Sequence, residues 1–334
     1  MPTLPKVAVI GTGGTITSLS AVGPLDLYEY TATGKMLEAD ALVDKFPEVR
    51  QVADIIPVRF KAVPSTAVSF PEWKQIVLEA DKAVAAHPDL AGIVVLHGTA
   101  TLEETAYALN LTAKVKIPIV IVGAQRPASA LSTDAGMNLV NAVRTASHPD
   151  SRGLGVLVCL NDEIQAAREV TKTSTARLQT FRSPDFGALG HADGDKLSYY
   201  RKPIRKSAPD TEFDIRKLDA LPRVDIAYSY AGNDGEATRA FVKAGAKGIV
   251  AAGFAPGMLA PAEMEAFKAA VAAGVTVVIS SRAGSGRTFP SSKIVDSGFI
   301  TADNLTPQKA RILLALALTR TKDAQEIKRM FATY

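Results

Sequence analysis

Four stretches of this chain place hydroxyl, amide or amine side chains directly after apolar runs, where a parallel sheet would expose them to a ligand. In the first, Gly11-Thr12-Gly13-Gly14-Thr15 and Thr17 follow Val7-Ala8-Val9-Ile10. Glycines here let the backbone turn sharply and approach a ligand, so three hydroxyls crowd one strand end. A dinucleotide-binding turn would need glycine where Ile16 stands, and a phosphate-binding loop would need a lysine after the glycines; neither is met. In the second, His97-Gly98-Thr99-Ala100-Thr101 precedes Leu102-Glu103-Glu104, and Thr101 with Glu104 forms a capping box that starts a helix. Capping explains Thr101 and Glu104 but leaves Gly98-Thr99 unexplained, beside amides that favour anions. The third is Thr171-Lys172-Thr173-Ser174-Thr175, where the ordinary reading of the lysine is a solvated loop cation. The fourth is Gly123-Ala124-Gln125-Arg126-Pro127 with Ser132-Thr133-Asp134 and Asn138.

These groups suit nucleophilic attack on a carboxamide. A threonine hydroxyl is a poor nucleophile until a base takes its proton, and no histidine is well placed in sequence to do so. A lysine whose pKa is lowered by burial can serve, and helix N-terminal amides can stabilise an oxyanion.

Positioning such groups requires a sheet. Val- and Ile-rich runs at 7–10, 92–96, 117–122, 153–160, 223–228, 247–251 and 275–280 predict strands buried on both faces. Helical patterns at 72–86, 102–113, 136–147, 234–244, 261–273 and 306–319 alternate with them. This predicts an α/β fold, with a larger N-terminal doubly wound sheet domain at 1–205 and a smaller C-terminal α/β domain at 222–334. The polar, proline-bearing stretch 206–221 reads as the linker. The active site is expected at the carboxyl ends of the first domain's strands.

Composition narrows the function classes. Of 334 residues 47% are apolar and 22% charged, an ordinary globular balance. The formal charge of +4 is spread among acidic residues without a basic stripe, so no nucleic-acid partner is expected. No apolar run is long enough to span a membrane. The start, Met1 to Lys6, lacks the features of an export signal, so a cytoplasmic location is expected, with a processed periplasmic form left open. Cys159 lies in an apolar run and reads as a buried structural thiol, and the four histidines show no metal-ligand spacing, so neither a metal nor another cofactor is expected.

Taken together, Gly13-Gly14-Thr15-Ile16, His97-Gly98-Thr99 with Thr101 to Tyr107, Gly123-Ala124 with Arg126-Pro127, Thr171-Lys172-Thr173, Phe181 to Gly190 and Leu305 to Arg311 resemble bacterial-type L-asparaginases, in order and nearly end to end. The resemblance implies Thr15 as nucleophile, Tyr30 as its neighbour in an active-site loop, and Thr99 with Lys172 as the second catalytic pair. It implies substrate contacts from Ser65, Thr66, Gly98, Ala124 and the residue at position 100, with Ser65 on the substrate's α-carboxylate. It also implies a homotetramer, a dimer of dimers.

The chain departs from that pattern where the family grips the substrate's α-ammonium group. Ala100 stands where the family has Asp, Thr66 where Gln is frequent, and no Asn or acidic residue occupies the Ala255-Pro256-Gly257 and Gly284 to Arg287 regions. The expected activity is therefore cleavage of a side-chain or terminal carboxamide through an acyl-enzyme, on a carboxylate-bearing substrate without a free α-amino group. The alternatives are an L-asparaginase with an inactivating Asp-to-Ala change at Ala100, or a catalytically weak binding or sensor protein on the same scaffold. A nucleotide-dependent oxidoreductase is a third, which the failed glycine fingerprint disfavours.

Overall fold

Val7 and Val9 of strand β1 (Lys6–Gly11) pack with Leu42, Val43, Leu139 and Val143 on one side of a sheet. Ala8 and Ile10 point the other way, and all four β1 side chains are fully buried. A strand buried on both faces belongs inside a sheet, where each large aliphatic side chain contributes about 1.5–3 kcal/mol. The structure is a computed structural model that describes residues 3–33 and 35–334; Met1, Pro2 and Gly34 lie outside the described residues. It divides into two compact units, 1–217 and 218–334.

In the first unit β1 joins β2 (Asp54–Val58), β3 (Leu90–Leu96), β4 (Ile119–Val122), β5 (Val156–Leu160), β6 (Glu163–Ala166), β7 (Gly190–Ala192) and β8 (Leu197–Tyr199). Their order is β8-β7-β6-β5-β4-β3-β1-β2. The five strands from β2 to β5 run parallel, and β6, β7 and β8 extend the sheet as antiparallel neighbours. Helices α1 (Phe70–Ala86), α2 (Leu102–Thr112) and α3 (Ala135–Ser147) lie between the parallel strands in sequence. The chain leaves β1 toward β2, then returns to place β3 on the other flank of β1. That reversal opens a crevice beyond Gly11 and Leu96, the ligand position in doubly wound sheets.

Two expected strands start late, for local reasons. Pro118 has no N–H for the ladder, and β4 begins after it. Gly153 and Gly155 take φ of +73° and +77°, so β5 begins only at Val156. The expected linker region is divided in the structure. Phe213 and Ile215 are buried in the first unit, and Thr211 Oγ1 donates to the Leu111 carbonyl at 2.5 Å. Lys114 Nζ donates to the Thr211 carbonyl at 2.7 Å, so 211–215 is tied to the end of α2 rather than lying free.

The second unit is a four-stranded parallel sheet, β9 (Val224–Tyr228), β10 (Gly248–Gly253), β11 (Thr276–Ser281) and β12 (Ile300–Thr301), in sequence order. With it come α4 (Glu236–Lys243), α5 (Pro261–Ala272), α6 (Pro307–Leu318) and α7 (Ala324–Thr333). Its core holds Phe267 edge-on to Phe299, centroids 6.2 Å apart. The fold is thus the expected pair, a larger doubly wound domain and a smaller α/β domain. No helix among the described residues is long and apolar enough to cross a membrane.

Candidate active site

The loops leaving β1 and β3 meet backbone to backbone. Gly14 has φ +91°, and a Cβ there would run into the Gly98 backbone. A Cβ on Gly98 would in turn lie 2.6 Å from Ser65 Oγ. Only glycine allows three segments to approach this closely. Thr12 Oγ1 donates to the Leu96 carbonyl at 2.7 Å, and the Val63 amide donates to the Thr12 carbonyl at 3.0 Å. Thr101 Oγ1 donates to the Ser65 carbonyl at 2.6 Å. Thr101 is the residue before α2, but the expected capping bond from its side chain is not made; the hydroxyl fixes the segment carrying Ser65 instead.

Above this junction lies a cavity of about 470 Å³. Thr15 stands at its edge and shares a hydrogen bond of 2.9 Å with the Tyr30 hydroxyl. Tyr30 begins a one-turn helix, Tyr30–Thr33, and the loop before it is organised by Asp26. The Asp26 carboxylate accepts from Ser20 Oγ, from the Tyr28 amide at 3.0 Å and from the Glu29 amide at 2.8 Å. The Ser20 hydroxyl and the backbone amides of 28, 29 and 30 hold this carboxyl below the usual range, against the opposing effect of burial.

In the lining of the same cavity, Lys172 Nζ donates to Thr99 Oγ1 at 2.9 Å. Thr99 Oγ1 donates onward to Gln125 Oε1 at 3.0 Å, and Lys172 Nζ reaches the same oxygen at 3.4 Å. The Lys172 backbone amide donates to Glu103 Oε1 at 3.2 Å, which joins the lysine's segment to the first turn of α2. Burial lowers the Lys172 pKa from the ordinary lysine value, and the Glu103 charge opposes this only in part. His97 is no competitor as a base. Burial pushes its imidazole down to about 4, its Nε2 contacts Thr105 Oγ1 at 2.8 Å, and that hydroxyl also accepts from Trp73 Nε1 at 2.9 Å.

Seven of the nine residues expected at the site line this one cavity: Thr15, Tyr30, Ser65, Thr66, Thr99, Ala100 and Lys172. Gly98 lies beneath them as the close-approach position. Ala124 does not reach the cavity; it is fully buried in the apolar cluster of the sheet. The neighbouring Gln125, which holds both Thr99 and Lys172, belongs to the fourth stretch singled out in the sequence but received no role there. Sequence reasoning missed Met36, whose Sδ accepts from the Gly14 amide at 3.4 Å.

Residues 6–205 match the model of the asparaginase N-terminal domain, and 223–331 that of the glutaminase/asparaginase C-terminal domain. The chain is similar to L-asparaginase 2 of Bacillus subtilis, 41% identical over 99% of this chain and 87% of the relative. It is similar also to the glutaminase-asparaginase of Pseudomonas fluorescens, at 36% over 99% and 91%. Among solved structures, a probable cytoplasmic L-asparaginase from Campylobacter jejuni superimposes with a TM-score of 0.93, at 38% identity, covering 99% of this chain and 100% of that one.

Proposed function

Because this chain belongs to the asparaginase/glutaminase family of amidohydrolases, we propose that it cleaves the carboxamide of a carboxylate-bearing substrate that has no free α-amino group. Thr15 is the nucleophile of this reading. Its Oγ1 loses its proton to Lys172 and adds to the amide carbon; the proton passes to the nitrogen as the C–N bond breaks, and ammonia leaves. Water then hydrolyses the resulting threonine ester. Tyr30 orients Thr15, and Lys172, supported by Thr99, acts as the base. The homotetramer implied by the resemblance is part of the same reading, and a solution mass of four chains by light scattering checks it.

The carrying observation is the character of the cavity. Of its described lining residues Lys172 is the one cationic side chain, and none is acidic. An ammonium group brought here finds no counter-charge, and an unpaired buried charge is costly. A carboxylate meets the hydroxyls of Ser65 and Thr66 instead. Ala100 presents only a methyl group to the cavity and is exposed.

Asparagine, glutamine and succinamate assayed side by side test the reading. One lost charge-assisted hydrogen bond costs about 1.5–3 kcal/mol, so kcat/KM for succinamate should exceed that for asparagine about tenfold or more. Asparagine turned over rapidly with succinamate ignored would sink it. Ala100→Asp is the second arm. If that one change raises asparagine turnover by orders of magnitude, the missing carboxylate is an isolated defect in an asparaginase rather than a different specificity.

A further inference from the structure

We propose that Gln125 is a positioning residue, whose neutral amide oxygen aims the free valence of Lys172 into the cavity. The orientation of its side chain follows from its partners. Nε2 donates to the Arg177 carbonyl at 3.2 Å, which leaves Oε1 facing Thr99 and Lys172. The backbone is fixed as well, because the Gln125 amide donates to Asp134 Oδ2 at 2.9 Å and the Arg126 amide to Oδ1 at 2.9 Å. Asp134 is held at the start of α3, beside Asn138, whose Nδ2 donates to it at 3.1 Å and to the Gly123 carbonyl at 3.0 Å. A long polar side chain is therefore anchored at both ends next to the amine.

The consequence follows from counting valences. Thr99 spends its single proton on Gln125 Oε1, so its oxygen is left to accept from Lys172. An uncharged lysine amine has two N–H bonds and one lone pair. Thr99 and Gln125 take the two N–H bonds, and the lone pair is left for the cavity, where Lys172 is part of the lining. A charged acceptor at 125 would instead favour three N–H bonds and a protonated, inactive base. The charged group otherwise facing this lysine is Glu103, at the start of α2, whose pull toward the protonated form is weaker than the effect of burial. Gln125 adds an acceptor without adding a second carboxylate. The position beside the amine is filled by a neutral group, which does not oppose the lowering of the lysine pKa by burial.

This inference rests on Lys172 acting as the base, but not on which amide is cleaved. The test uses the full chain and its Gln125→Glu and Gln125→Met variants, with thermal unfolding to confirm that each is folded. Lys172 ionisation is followed by NMR on ¹³Cε-labelled lysine, with the signal assigned through Lys172→Arg. The rate profile is measured on whichever of asparagine, glutamine and succinamate the unaltered chain hydrolyses fastest. Gln125→Glu should raise the Lys172 midpoint by about one pH unit or more and carry the acidic limb of kcat upward by the same amount, so that activity recovers at high pH. Gln125→Met should lower kcat about tenfold or more at every pH, with no upward movement of the midpoint or the limb. An unmoved midpoint in Gln125→Glu, or full kcat in Gln125→Met, overturns the proposal. A raised midpoint without a matching movement of the rate profile also overturns it, by removing Lys172 as the base. Preference among the three amides is read separately, so a failed substrate assignment would leave these results intact.

Discussion

The two ends of the cavity are assembled on different plans. At one end the groups are tied to each other: Thr15 to Tyr30, Lys172 to Thr99, and both members of the second pair to Gln125. At the other end Ser65 is held through its backbone carbonyl by Thr101, while Thr66 and Ala100 stand exposed. Proton transfer depends on mutual geometry, so a change in one member of a bonded group is felt by its partners. Recognition groups each read one part of a substrate and can be exchanged one at a time. On the proposed reading, this contrast lets the groups that read a substrate change while the groups that attack it stay together.

The strongest way to break this comparison is Thr15→Ala. Loss of a nucleophile from a coupled set should lower kcat about 10⁴-fold or more, with unfolding temperature nearly unchanged because Thr15 lies at the cavity edge. If activity survives, Thr15 is not the attacking group. Lys172→Met should follow with a loss of about 10³-fold. Its sign with pH is fixed by burial, which holds Lys172 below the ordinary lysine value. The uncharged base gains population as pH rises through that lowered pKa, so kcat of the unaltered chain climbs along an acidic limb. The variant should lose the limb together with the rate, and a limb retained in Lys172→Met would assign it to another group.

Ser65→Ala probes the reading end and should act differently. Removing one hydrogen bond to a substrate carboxylate should raise KM about tenfold while leaving kcat close to its starting value. A fall in kcat equal to the rise in KM would mean that Ser65 belongs to the attacking machinery, and the division between the two ends would not hold. Substrates lacking the carboxylate should be indifferent to the change.

How much of this arrangement was legible beforehand depended on which physical signal each part carries. Continuous Val and Ile runs marked β1, β3, β9, β10 and β11 because strands buried on both faces leave no polar alternation. Strands β6 to β8 were invisible, since Glu163–Ala166 and His191 carry polar residues on short antiparallel pieces at the sheet's end. The segment 206–221 looked like a linker because Phe213 and Ile215 are isolated apolar residues with no period; the Ile215–Lys217 turn packs against α1, from a distant part of the sequence. Helix α7 did carry a signal that went unread. Asp323 accepts from the Glu326 amide at 2.8 Å, and Ile327, Met330 and Phe331 form its buried stripe. At the site, glycine turns and hydroxyls located Thr15 and Thr99, whereas Tyr30 and Ser65 rested on resemblance alone. Gln125 was singled out only by its place after a strand and Asp26 not at all, because a glutamine or aspartate in a loop has no assigned role until its partners are known.

Asp26 supplies the smallest expected effect, and the one that separates loop order from chemistry. Its carboxylate gathers Ser20 Oγ and the amides of Tyr28 and Glu29, and Tyr30 follows directly. Asp26→Asn keeps the shape but offers one neutral acceptor oxygen, so Tyr30 should be held less firmly and kcat should fall severalfold, with KM little changed. The pH dependence has a definite sign. A carboxyl whose folded pKa lies below its unfolded value of about 3.9 stabilises the loop fully above that value. This contribution is lost as pH falls through the lowered folded pKa. Amide exchange at Tyr28 and Glu29 should therefore stay slow in the unaltered chain down to about pH 4 and quicken below it, after correction for intrinsic exchange. In Asp26→Asn it should be fast throughout, without the acid transition. Equal protection in both proteins would show that the loop is held by something other than this carboxylate. The attacking end would then owe its order to the sheet alone, rather than to a loop held in shape by one carboxylate.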